Sequence, residues 1–151
     1  MHRAGDPVHP ARRQHVAIAI DGVSKWFGIR WVHANEVHLT IREDLINAGG
    51  LLSGVVGYAM VDYCMGSTLW KQTSDDEAIA TIGISINYVQ TATDGDLICT
   101  TDLDRRNRSN AVLSTKVLHE DGRLIATAIG SYSIFQRSNR GGVRIPAPEQ
   151  A

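Results

Sequence analysis

The sequence offers little to tie it to nucleic acid, a membrane, a metal or an oxidising compartment. Fifteen Lys and Arg against sixteen Asp and Glu leave a formal charge of −1, which gives no electrostatic reason for a nucleic-acid or anionic-membrane partner. No apolar run approaches the ~18 residues that cross a bilayer. The segment Met1-His-Arg-Ala-Gly-Asp-Pro-Val-His-Pro lacks the apolar core of a signal peptide, so the expectation is a soluble cytoplasmic protein. There are two cysteines, Cys64 and Cys99, far apart and outside any CxxC pattern. Buried thiols are expected, a single structural disulfide being the other arrangement two cysteines allow. The six histidines are scattered, without HxxxH or His/Cys spacing, so no metal site is expected. Neither a G-x-S-x-G elbow nor a phosphate-cradling P-loop is present.

What is there reads as one domain. The chain has 151 residues, 43% hydrophobic and 21% charged, an ordinary globular balance. Residues 1–12 carry two prolines and mixed charge, and 137–151 are polar and punctuated by Gly and Pro, so both ends read as loose tails around a domain at 13–136. There is no internal repeat.

Within that domain the hydrophobic period changes several times. Val16, Ile20, Val23 and Phe27 form one stripe, which predicts a helix over 13–27. From Ile29 to Arg42 the period falls to two, predicting two short strands around His33-Ala34-Asn35. A long helix is expected from Gly54 to Leu69, apolar nearly all round and therefore buried on most faces. Ala80, Ile82, Ile84, Ile86 and Tyr88 then alternate with Thr81, Gly83, Ser85 and Asn87, which predicts a strand with one greasy and one small polar face. That small face would suit the close approach of a second sheet or a second subunit. Three more strands are expected at 97–104, 110–119 and 124–135, the last two joined at Asp121-Gly122, a strong hairpin signal. One helix apolar all round needs a sheet curved around it. The fold class is therefore α+β, a curved antiparallel sheet wrapped around one long central helix.

Asp62 breaks the pattern of that helix. Between Asp44 and Lys71 it is the sole charged residue. An ionised, unpaired acid in a buried helix costs several kcal/mol, and Asp is a poor helix-interior residue. Its presence calls for a reason: catalysis, or a buried pairing with a backbone amide or a tyrosine hydroxyl.

The residues around it resemble a known motif. Asn, two residues, Gly, two residues, His-Gly-Gly, then an Asp near the middle of the central helix is the pattern of the PaaI-type acyl-CoA thioesterases, which have the hotdog fold. Asn47, Gly50, Gly54 and Asp62 match it at the same spacing, while Ser53 stands in place of the His and Val55 in place of the second Gly. The strand Thr81–Tyr88 and the run Asp-Gly-Arg-Leu-Ile-Ala at 121–126 are also similar to the family's, and the likeness covers Gly28 to Phe135.

The resemblance implies an acyl- or aryl-CoA thioesterase that needs no cofactor. Asp62 would act as general base or nucleophile, and Gly54 would offer its N–H to the oxyanion at the helix start. Asn47 would hold the water or the thioester, and Thr81 would orient the water. Ser53 and Val55 would border the substrate. It also implies a homodimer in which Asp62 works with Asn47 and Gly54 of the second chain, and a tetramer of two such dimers. From spacing alone, Gly50 and Gly54 equally permit a turn, Asn47 equally caps a helix, and Thr81 is equally a good strand residue. Arg105, Arg106 and Arg108 match the phosphates of coenzyme A in chemistry, and equally a solvated hairpin end. Two rival functions stand beside hydrolysis: a non-catalytic acyl-CoA-binding hotdog protein, which the loss of the His-Gly pair suits, and a hotdog dehydratase or hydratase. The dehydratase generally uses a His beside the acid, and Ser53 replaces it.

Overall fold

A computed structural model describes residues 21–137. The two expected tails lie almost wholly outside that range, as does the first part of the helix expected over 13–27. Its remainder is α1, Gly22–Phe27, started by the Asp21 side chain accepting from the Ser24 N–H and ended at Gly28 in the left-handed region.

Two short strands follow, β1 (Arg30–His33) and β2 (Glu36–Thr40), as the change of period predicts. The long helix α2 runs Gly54–Trp70. After it the chain is all strand: β3 (Glu77–Tyr88), β4 (Asp96–Arg106), β5 (Asn110–His119) and β6 (Leu124–Gln136). These form one antiparallel sheet in the order β1-β2-β4-β5-β6-β3. The β5–β6 hairpin turns at Gly122, whose φ of 92° suits a residue without Cβ.

The sheet curls around α2. Met60, Val61, Cys64, Met65 and Leu69 are fully buried against Leu97, Leu113, Val117 and Ala126. Gly130 on β6 lies against the helix, where a Cβ would come within 2.5 Å of the Met65 sulfur. Cys64 and Cys99 are free, buried thiols that donate to the carbonyls of Cys99 and Met60 respectively. This is the hotdog fold, with the helix as filling. Among the described residues no helix is long and apolar enough to cross a membrane.

The strand carrying Thr81 departs from simple alternation. Thr81 pairs with Tyr132 and Gly83 with Ser131, so Ile82 is an extra residue, a β-bulge. Ile79 and Thr81 face the helix before the bulge, Ile84 and Ile86 after it, and Ile82 is 64% exposed. A single inserted residue reverses side-chain parity. Thr81 therefore does not share a face with Gly83, Ser85 and Asn87.

Candidate active site

The expected residues fall into three groups. The first surrounds Asp62, which is half-buried on the side of α2 facing β3 and β6. Thr81 Oγ1 donates to Asp62 Oδ1 at 2.8 Å. The Tyr132 hydroxyl reaches the same oxygen at 2.5 Å, with the Asp62 carbonyl oxygen 3.0 Å away. Thr81 and Tyr132 are cross-strand partners on β3 and β6. Burial and the carboxylate beside it push the Tyr132 phenol well above its usual range, so it stays a protonated donor. The pairing with a tyrosine hydroxyl is thus present, and only one of the two carboxylate oxygens takes part in these bonds. Tyr132 itself escapes reading by motif. Its trace in the sequence is a hydroxyl-tipped ring in a β6 stripe whose other inward members are Ala126, Ala128, Gly130 and Ile134.

The second group lies at the start of α2. Asn47, Ser53 and Gly54 line one cleft of about 350 Å³ with Leu51, Tyr88 and Val89. The Asn47 side-chain oxygen Oδ1 accepts from the N–H groups of Gly49 (2.9 Å) and Leu51 (3.2 Å). This loop carries Gly50 with a φ of 80°. Its acceptor so engaged, Asn47 presents its amide –NH2 as a donor. Ser53 is the N-cap of α2, yet its side chain makes no capping hydrogen bond, and the first N–H groups of a helix have no partner within it. The cleft therefore combines an amide donor with a positive helix terminus, which suits a developing oxyanion. The Tyr88 ring closes one side, its hydroxyl donating to the Gly54 carbonyl. Val55 is 63% exposed beside it.

Asp62 is not in that cleft. Eight residues separate it from Gly54, about 12 Å along a helix axis at 1.5 Å per residue. One chain thus presents an acid and a donor-lined cleft that are too far apart to touch the same small group.

The third group is the β4–β5 hairpin. Arg106 turns inward and forms a tight ion pair with Glu77, at 2.6 and 2.8 Å. Arg105 donates to Asn107 Oδ1, and Arg108 is exposed.

A helix wrapped by an antiparallel sheet, with a carboxylate in mid-helix and a donor cleft at its start, defines a hotdog protein. The family model of the thioesterase superfamily matches residues 49–126, and the chain belongs to that superfamily. Among solved structures it is similar to a conserved protein of Pseudomonas aeruginosa, at 25% identity, covering 77% of this chain and 95% of that one with a TM-score of 0.72. A thioesterase of Haemophilus influenzae (13% identity, 80% and 87% covered, TM-score 0.74) shares the fold. So does a Bacillus halodurans protein solved with CoA (20% identity, 78% of each chain covered, TM-score 0.73). No curated protein matches the sequence.

Proposed function

We propose that this protein hydrolyses an acyl- or aryl-CoA thioester to the free acid and coenzyme A, in the cytoplasm, as a homodimer whose two active sites are each built from both chains. The observation that carries the reading is the division of the site: a carboxylate with an open oxygen in mid-helix, and an oxyanion cradle formed by Asn47, in the loop before the helix, and Gly54, about 12 Å from the acid along the same helix. A second chain packed antiparallel would bring its cradle to this chain's acid. β3, which carries Thr81, is an edge strand of the sheet, and edge strands are open to pairing with a second copy. Superfamily membership supports the reaction class, and a fold neighbour solved with CoA supports the carrier.

As a general base, Asp62 would take a proton from water as the new C–O bond forms at the thioester carbon. Asn47 and Gly54 of the second chain would stabilise the oxyanion. Collapse would break the C–S bond, and the proton held by Asp62 would pass to the departing thiolate. Direct attack by the carboxylate, followed by hydrolysis of the anhydride, uses the same groups. Arg105 and Arg108 would meet the phosphates of coenzyme A at the hairpin end, and a tetramer would pair two such dimers.

The test is thiol release from short, medium, long and aromatic acyl-CoAs, wild type beside Asp62→Asn. A folded dimer whose turnover falls ~10²-fold or more supports Asp62 as the acid-base or nucleophile. Ser53 and Val55, in place of the family His and Gly, favour one other reading, a non-catalytic acyl-CoA binder. Tight binding of these thioesters without thiol release would establish it.

A further inference from the structure

We propose that Tyr132 is a positioning residue which, with Thr81, occupies Oδ1 of Asp62 and so leaves Oδ2 as the oxygen that meets water or thioester. This rests on the hydrolytic reading and deepens it. The donors come from two neighbouring strands and converge on one oxygen, at 2.5 Å from Tyr132 and 2.8 Å from Thr81. An ionised carboxylate has about four acceptor positions over its two oxygens. Two donors on Oδ1 use that oxygen's share and fix the plane of the group, which a free Asp side chain would sample broadly.

The two donors are unequal. Tyr132 is 2% exposed and its hydroxyl also lies 3.0 Å from the Asp62 main-chain carbonyl, so the phenol is tied to the helix turn that carries the acid. Burial keeps it protonated and unable to accept the substrate's proton itself. Thr81 is exposed on an edge strand, and reaches Oδ1 because the Ile82 bulge turns it inward. In a shared site this division has a purpose. The face of Asp62 turned toward its own sheet is held by its own chain, and the remaining oxygen is free for a reaction centre delivered by the second chain. Whether water or the carboxylate attacks first, the oxygen is the same.

The test is steady-state kinetics on the best substrate of the panel for wild type, Tyr132→Phe, Thr81→Ala and Asp62→Asn, with oligomeric state and melting temperature recorded for each. Tyr132→Phe is expected to lower kcat by ~10- to 100-fold with KM within about 2-fold, since a misplaced reacting group costs on that scale. Thr81→Ala should show the same split with a smaller loss in kcat, ~3- to 10-fold, because water can replace an exposed hydroxyl. A folded Tyr132→Phe dimer with wild-type kcat, or one whose loss lies wholly in KM, overturns the proposal. Should the phenylalanine variant not fold, Thr81→Ala decides, and an unchanged kcat there overturns it. If Asp62→Asn is inactive while both donor variants are fully active, the hydrolytic reading stands and this inference fails. If wild type and Asp62→Asn are alike in turnover, both fail.

Discussion

The Tyr88 hydroxyl donates to the Gly54 carbonyl at 2.5 Å, and its ring covers the first turn of α2 from Gly54 to Gly57. A Cβ on Gly54 would lie 3.2 Å from Tyr88 Cζ, so Gly54→Ala crowds the ring that closes the cleft. Tyr88 is 52% exposed and can swing out, so the fold should lose less than about 1 kcal/mol. Turnover should fall by ~10-fold or more, because the methyl enters the approach to the N–H groups of the helix start. Thiol release and a thermal melt on the same sample separate the two effects.

If the acid and the cradle act across two chains, damaged chains should complement each other. Asp62→Asn and Gly54→Ala homodimers would each be impaired at both sites. A mixed dimer would carry one site with both lesions and one intact. Equal mixing with random exchange makes half the dimers mixed, so activity should recover to about one quarter of wild type. No recovery after verified exchange would place both half-sites in one chain.

Gly130 is the tight contact between β6 and α2. Its Cβ would meet the Met65 sulfur at 2.5 Å and Ile84 Cγ1 at 3.2 Å, and Met65 is fully buried. Gly130→Ala should therefore destabilise the fold by roughly 1–3 kcal/mol through overpacking. Shortening the opposing side chain, as in Gly130→Ala with Met65→Val, should recover part of the loss. Denaturant melts of the single and double variants give the coupling directly.

His119 carries a pH dependence of stability. Its Nε2 donates to the Asp94 carbonyl at 2.8 Å, and its Nδ1 lies 3.0 Å from Asp121 Oδ1. The bond to Asp94, then Asp121, raises its pKa above 6.5. A group titrating higher when folded adds stability that is complete below 6.5 and is lost as pH rises through the folded value. Melting temperatures of wild type and His119→Gln should differ most below that pH and converge above it. A gap that stays constant from about pH 5 to 9 would show that the imidazole does not titrate between the two states.

The elements themselves could be read residue by residue. Val37 and Leu39 alternate with His38 and are fully buried while His38 is not. Asp121-Gly122 marks its hairpin, and the all-round apolar composition of α2 places it inside the sheet. Asp62 stands out by its charge, and Gly54 and Asn47 by the resemblance to a family motif, all of which are local properties. Three features were not legible in this way. The bulge at Ile82 has no local signature, since isoleucine fits a regular strand as well as an irregular one. Arg106 reads like its neighbours Arg105 and Arg108, yet it turns inward after the register shift between Leu103 and Arg105 and pairs with Glu77, 29 residues earlier. Tyr132 lies 70 residues from Asp62, and no pattern within β6 names its partner.

The sequence by itself determined that a helix with one acid would be enclosed by an antiparallel sheet, because hydrophobic period and turn chemistry are written a few residues at a time. Only the tertiary structure decided which oxygen of that acid is engaged, that Thr81 faces it, and that Tyr132 reaches it from β6. Those depend on strand register and on distance, and a one-residue slip in register turns every later side chain to the other face.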